Sequence, residues 1–146
     1  MQLHRGVLGT TGIETVEIVK GIVDNIKPKL VIAIDSLCSK NIDRINKSIQ
    51  ISDTGIVPGG GVGNRQAELS KDTLSVPVIG VGIPTVLDAA TIVIDTLKAC
   101  EVDISENEIV DKMKLNNFNF IVTPKEIDSL IENMTTIVSE GINMSF

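Results

Sequence analysis

Three short apolar runs constrain this chain more than any other feature: LVIAID (30–35), VPVIGVGIP (76–84) and FNFIV (118–122). Each is too short for an amphipathic helix and is bounded by proline or polar residues, so each is expected as a strand. LVIAID has no polar residue before its aspartate, the pattern of a strand covered on both faces. VPVIGVGIP is expected to end at Pro84. KSIQISD (47–53) alternates Ile49 and Ile51 with polar neighbours and is expected as a further, half-buried strand.

Between these runs the apolar spacing changes to three and four. In TTGIETVEIVKGIVDNIK (10–27), Ile13, Val16, Val19, Val23 and Ile26 mark one helix face, Thr11 and Glu14 have the spacing of a capping box, and Pro28 closes the segment. TVLDAATIVIDTLKAC (85–100) predicts a helix with Thr85 at its cap and Asp88 in the first turn. TPKEIDSLIENMTTIVSEG (123–141) predicts the last helix, with Thr123 at the cap, Pro124 at the first position, Glu126 completing the box and Gly141 after the end. SKNIDRIN (39–46) is expected as a short helix capped by Ser39, residues 65–74 as a turn or short helix, and residues 101–117 as an insertion or loose helix.

Helices alternating with short strands imply the α/β class: a single layered α/β/α domain over residues 1–146 with a largely parallel sheet. Such domains commonly open with a strand, whereas this chain opens with a loop and a helix. A lacking N-terminal strand would leave a sheet edge open and favour self-association. With aromatic residues at 2% and neither Trp nor Tyr, the core must come from Ile, Val and Leu.

A net charge of −6 argues against nucleic acid as a direct partner, because phosphate neutralisation needs clustered Lys and Arg. No apolar run approaches the roughly 18 residues of a membrane span, and the N-terminus lacks the apolar stretch of a signal peptide, so no membrane partner and a cytoplasmic location are expected. Cys38 and Cys100 read as reduced thiols. His4 joins neither in a zinc spacing, and no metal or cofactor is expected.

Asp35 and Asp53 each close an expected strand. In open α/β sheets the sites lie beyond the carboxyl ends of strands, so the two could face one crevice, one acting as base on water and the other as acid. The plainer alternatives are a cap over residues 36–38 for Asp35 and an Asx turn for Asp53. Asp88 is a further possible carboxylate for the cleft. In PGGGVGN (58–64), Gly59, Gly60, Gly61, Gly63 and Asn64 lack the Gly-Lys-Ser/Thr ending of a phosphate loop. Consecutive glycines permit positive φ and close backbone approach, so this stretch is expected to wall a substrate cleft. Cys38, with no histidine nearby in sequence, is expected as a buried structural thiol.

GIETVEIVKGIV, KPKLVIAIDSLCSKNIDRINKSIQISDTGIVPGGGVGN, VPVIGVGIPTVLDAATI and FIVTPKEIDSLIENM together resemble the germination protease family of spore-forming bacteria. The resemblance covers roughly the C-terminal half of a typical member. It implies an aspartic-type endopeptidase, made as a zymogen, tetrameric, and active in the spore core on small acid-soluble spore proteins. The implied fold is similar to that of the hydrogenase maturation proteases. Asp35 is the implied catalytic carboxylate, and the family's second aspartate belongs to a segment preceding the matched blocks. The 146 residues alone are therefore expected to be inactive. Val57 stands where the family commonly has histidine, and Ser36 and Cys38 replace small residues. The alternative is a non-catalytic relative, an α/β domain for assembly or substrate capture in which Asp35 is only a helix cap.

Overall fold

Val16, Val19 and Val23 turn one face of helix α1 (Thr15–Ile26) inward in the computed structural model, which describes residues 14–60, 67–118 and 120–145. Val16 and Val23 are buried and Val19 packs against them from a half-buried position. The cap is Glu14, without a side-chain cap bond; Thr11 and Ile13 lie outside the described residues, as does His4. The helix ends where Lys27 takes a φ of 54° and sends its N–H back to Val23 O at 2.8 Å. Ile26, expected on the apolar face, is 51% exposed in this last turn.

The chain divides into two compact units, one of residues up to Asp35 with Ile49–Gly82, the other of Ser36–Ser48 with Ile83 onward. The first has its own core. Val16, Val23, Leu69, Leu74 and Val78 are buried, with Val31, Ala33, Ile56 and Val76 packed around them. A short helix α2 (Lys71–Leu74) packs against α1 and carries Leu74, which is 1% exposed. Burying that side chain contributes about 2–3 kcal/mol. Ser70 and Thr73 cap α2 reciprocally, the Ser70 N–H donating to Thr73 Oγ1 at 3.0 Å.

The sheet contains β1 (Val31–Ser39), β2 (Gln50–Ser52), β3 (Val78–Asp88) and β4 (Ile121–Val122), in the order β1-β3-β2 with β4 also on β3. β2 is antiparallel to β3, Gln50 facing Gly82, and β4 is antiparallel to β3, Leu87 facing Val122. β1 runs in the same sense as β3: the Val31 N–H donates to Pro77 O, and Ser36 Oγ meets Thr85 Oγ1. The α/β class holds, with a mixed sheet.

Both long strands overrun their expected ends. β1 continues past Asp35 to Ser39 and is not covered on both faces, since Ile34 is 52% exposed and only Ser39 is buried. β3 continues through Pro84 to Asp88. Pro84 falls between the stretches that pair with β2 and β4, so its missing N–H removes a bond from neither pairing. β2 is only three residues long, and Ile51 is 72% exposed rather than half-buried.

In the second unit the extension of β3 moves the next helix. α3 (Ala89–Ala99) begins four residues after the expected cap Thr85, which lies in the strand. Asp88 is the N-cap, its Oδ1 accepting the Ala90 N–H at 2.9 Å. The expected helix at 39–46 is a 3-10 turn (Ile42–Arg44) capped by Asn41, not Ser39, with the Asp43 N–H donating to Asn41 Oδ1 at 2.8 Å. Within residues 101–117, α4 (Glu106–Leu115) packs against α3 and buries Ile109. β4 realises only two residues of FNFIV, of which Asn119 lies outside the described residues. The last helix, α5 (Ile127–Ser145), starts three residues beyond Pro124 and passes through Gly141, where an added Cβ would meet nothing. Thr123 and Gly141 are therefore not its boundaries.

Candidate active site

Val31, Ala33 and Asp35 share one face of β1, because side chains two apart point the same way. Val31 and Ala33 pack on the core of the first unit, so the strand carries Asp35 to the margin of that core, half-buried. A carboxylate there needs a donor. It has one in the glycine loop: the Gly59 N–H donates to Asp35 Oδ2 at 2.8 Å, the length of a charge-assisted hydrogen bond. Asp35 is the fifth of nine strand residues, so it neither ends the strand nor caps residues 36–38, which continue the strand.

The loop is held at its start by close backbone contact. Gly55 has φ 108°, and a Cβ there would lie 2.2 Å from Leu69 O; a Cβ on Gly80 would lie 2.7 Å from Gly55 O. Ile56 and Leu69 exchange N–H···O bonds of 3.0 and 2.8 Å, the only such bridge outside the strands among the described residues. From this anchor the Gly60 N–H returns to Val57 O at 3.1 Å, closing a tight turn in which Gly59 takes φ 66°. That turn presents the Gly59 N–H to Asp35. Within PGGGVGN the positive-φ expectation is met at Gly59, whereas the close backbone approaches fall on Gly55 and Gly80, outside that stretch. Val57 is 39% exposed, and its Cγ1 would stand 3.1 Å from a Cβ on Gly60. Gly61, Gly63 and Asn64 lie outside the described residues.

Asp53 follows β2 in an exposed bend. The turn there is tied by Ser52, whose Oγ accepts the Thr54 N–H at 3.1 Å and lies 2.6 Å from Thr54 Oγ1, rather than by an Asx turn of Asp53. Asp88 belongs to the other unit, where its carboxylate caps α3. Cys38 is half-buried in that unit, and burial, followed by the negative charge of Asp88, pushes its thiol up from the ordinary 9.0. A thiol so placed is kept protonated at neutral pH, as a structural cysteine is. Among the described residues no three His, Cys, Asp or Glu side chains gather as metal ligands do.

Two features of the second unit had no signal in the local pattern. Ser36 and Thr85 join their hydroxyls across 49 residues of sequence. Asn46 is 6% exposed, takes φ 50° and has no partner among the described residues for either side-chain polar atom. Both depend on long-range contacts that periodicity cannot reveal.

An α/β protein with a strand-borne carboxylate clamped by a glycine turn is the class that these elements define. The germination protease family matches residues 1–114. The germination protease of Caldanaerobacter subterraneus subsp. tengcongensis is 47% identical, over 96% of this chain and 50% of that protein. That of Clostridium tetani is 43% identical with the same coverage, and that of Bacillus subtilis 37%, over 94% of this chain and 51% of its own length. The chain belongs to the germination protease family. It spans about half the length of the curated relatives it matches.

Proposed function

We propose that the chain contributes Asp35 as a catalytic carboxylate to an endopeptidase of spore germination, acting on small acid-soluble spore proteins in the spore core. The observation that carries this reading is the 2.8 Å bond from the Gly59 N–H to Asp35 Oδ2. It fixes the orientation of a half-buried carboxylate, the preorganisation a general base needs to take a proton from the attacking water. A second carboxylic group must donate a proton to the leaving amine. Asp88 is committed to its helix cap, and the family resemblance assigns the second aspartate to a segment outside the matched blocks. The 146 residues alone should therefore leave the substrate uncut. Synthesis as a zymogen and tetramer formation complete the proposal and rest on the resemblance.

The test is cleavage of a purified small acid-soluble spore protein by a longer protein in which these residues are joined to the rest of a family member. Asp35→Asn should abolish cutting while circular dichroism stays unchanged.

A second reading is a non-catalytic relative used for assembly or substrate capture. It is favoured by Val57, which puts an aliphatic side chain two residues from Gly59, where the resemblance to the family implies a histidine. Under that reading Asp35 only pins the loop, and Asp35→Asn would lower stability without touching an activity.

A further inference from the structure

Asn46 is the least satisfied polar residue described in this molecule. Its side-chain nitrogen and oxygen are both buried and neither has a hydrogen-bond partner among the described residues, although its own backbone N–H donates to Pro84 O at 2.8 Å. Leaving such groups unpaired is costly, and so is the φ of 50° that the residue adopts. Both burdens fall on one residue, and that residue lines a pocket of about 270 Å³ in the second unit. The other walls are Ile42, Ile45, Leu87, Pro124 and Leu130, with the exposed Lys47 at the rim.

The pocket is below the roughly 300–1,000 Å³ that accepts a drug-sized molecule, and suits one or two amino-acid residues. Its aliphatic walls do not suit water, which needs two to four polar partners. A carboxamide offers one donor and one acceptor side by side, which is the complement of a peptide's C=O and N–H. Turning the Asn46 side chain toward the pocket forfeits no hydrogen bond, because it makes none.

We propose that this pocket binds a peptide segment, with an aliphatic side chain between Ile42, Ile45, Leu87, Pro124 and Leu130 and the adjoining backbone amide paired with the carboxamide of Asn46. The inference goes beyond the chemistry assigned to Asp35 and does not depend on it. Its readout is binding, so its failure is visible separately from a failure of catalysis.

The probe is N-acetyl-leucine N-methylamide, titrated into the full 146-residue chain while the Asn46 side-chain NH₂ signals, and the backbone amide signals of Ile45 and Leu87 that the variants retain, are followed by nuclear magnetic resonance. Two comparators accompany it: the glycine analogue, which lacks the side chain, and the leucine methyl ester, which lacks the C-terminal N–H. The Asn46 signals should move with the leucine amide at millimolar concentration, about tenfold less readily with the ester, and not with the glycine analogue. Asn46→Gly suits the left-handed backbone, so it should fold at least as well as the parent and bind the leucine amide about tenfold more weakly. Leu130→Ala should weaken leucine binding without changing the ester-to-amide ratio. Equal response to leucine and glycine probes, or an unchanged affinity in Asn46→Gly, overturns the proposal. So does an absence of any shift. If Asn46→Gly fails to fold, the three-probe comparison on the parent chain decides the matter unaided.

Discussion

Asp35 and Gly59 are 24 residues apart in sequence and one hydrogen bond apart in space. That bond depends on backbone conformations few residues tolerate. Gly55 is the stricter position, because at φ 108° a Cβ would collide with Leu69 O at 2.2 Å. Gly55→Ala should cost about 3 kcal/mol or more, from backbone strain of about 1–3 kcal/mol with the clash added; a denaturant midpoint unchanged from the parent would contradict this. The two cysteines should differ as well. Cys100 is exposed, whereas Cys38 is half-buried with its thiol pushed up by burial and by Asp88. Iodoacetamide at pH 8, followed by mass spectrometry, should label Cys100 about tenfold faster. Because folded Cys38 releases its proton above the ordinary value of 9.0, its contribution to stability is complete below pH 9. It is lost as pH rises through the folded value, since the unfolded thiol ionises first.

At the scale of elements, the identity of each segment was more legible than its ends. LVIAID and VPVIGVGIP announced strands by their aliphatic runs, and α1 announced itself through Val16, Val19 and Val23. What periodicity could not supply was pairing. Ser36, Cys38 and Ser39 lack strand character in isolation, yet β1 continues through them beside β3, where Ser36 finds Thr85. Pro84 reads as a terminator, yet it occupies a stretch of β3 between two partners. The start of α3 moved for the same reason, from Thr85 to Asp88. Asp88→Ala should therefore destabilise the chain by about 1 kcal/mol, the worth of an N-cap, whereas Thr85 should show no capping contribution. Equal losses of α3 amide-exchange protection in Asp88→Ala and Thr85→Val would refute that assignment. At the site, the strand carboxylate and the positive φ of its glycine loop were readable from residue types. The contact between Asp35 and Gly59 was not, because nothing local encodes which loop amide reaches which strand.

Taken whole, the chain belongs to the germination protease family and spans about half the length of the relatives it matches. A water-activating pair needs two titratable groups with different protonation states. Of the aspartates singled out with Asp35, Asp88 caps α3 and Asp53 sits in an exposed bend. The chain alone should accordingly show less than a hundredth of the rate of a longer protein that adds the remaining family segments, as read by gel densitometry of substrate loss. A short chain that cuts unaided would place both groups within these residues and make Asp53 the second.

The catalytic role of Asp35 is decided by comparing that longer protein with its Asp35→Asn variant on a purified small acid-soluble spore protein, with matched circular dichroism spectra. A fall in rate of at least about 100-fold is expected, the lower bound for losing a positioned general base. An Asp35→Asn protein that cuts at the parent rate would contradict it, and would leave Asp35 as the pin of a glycine loop.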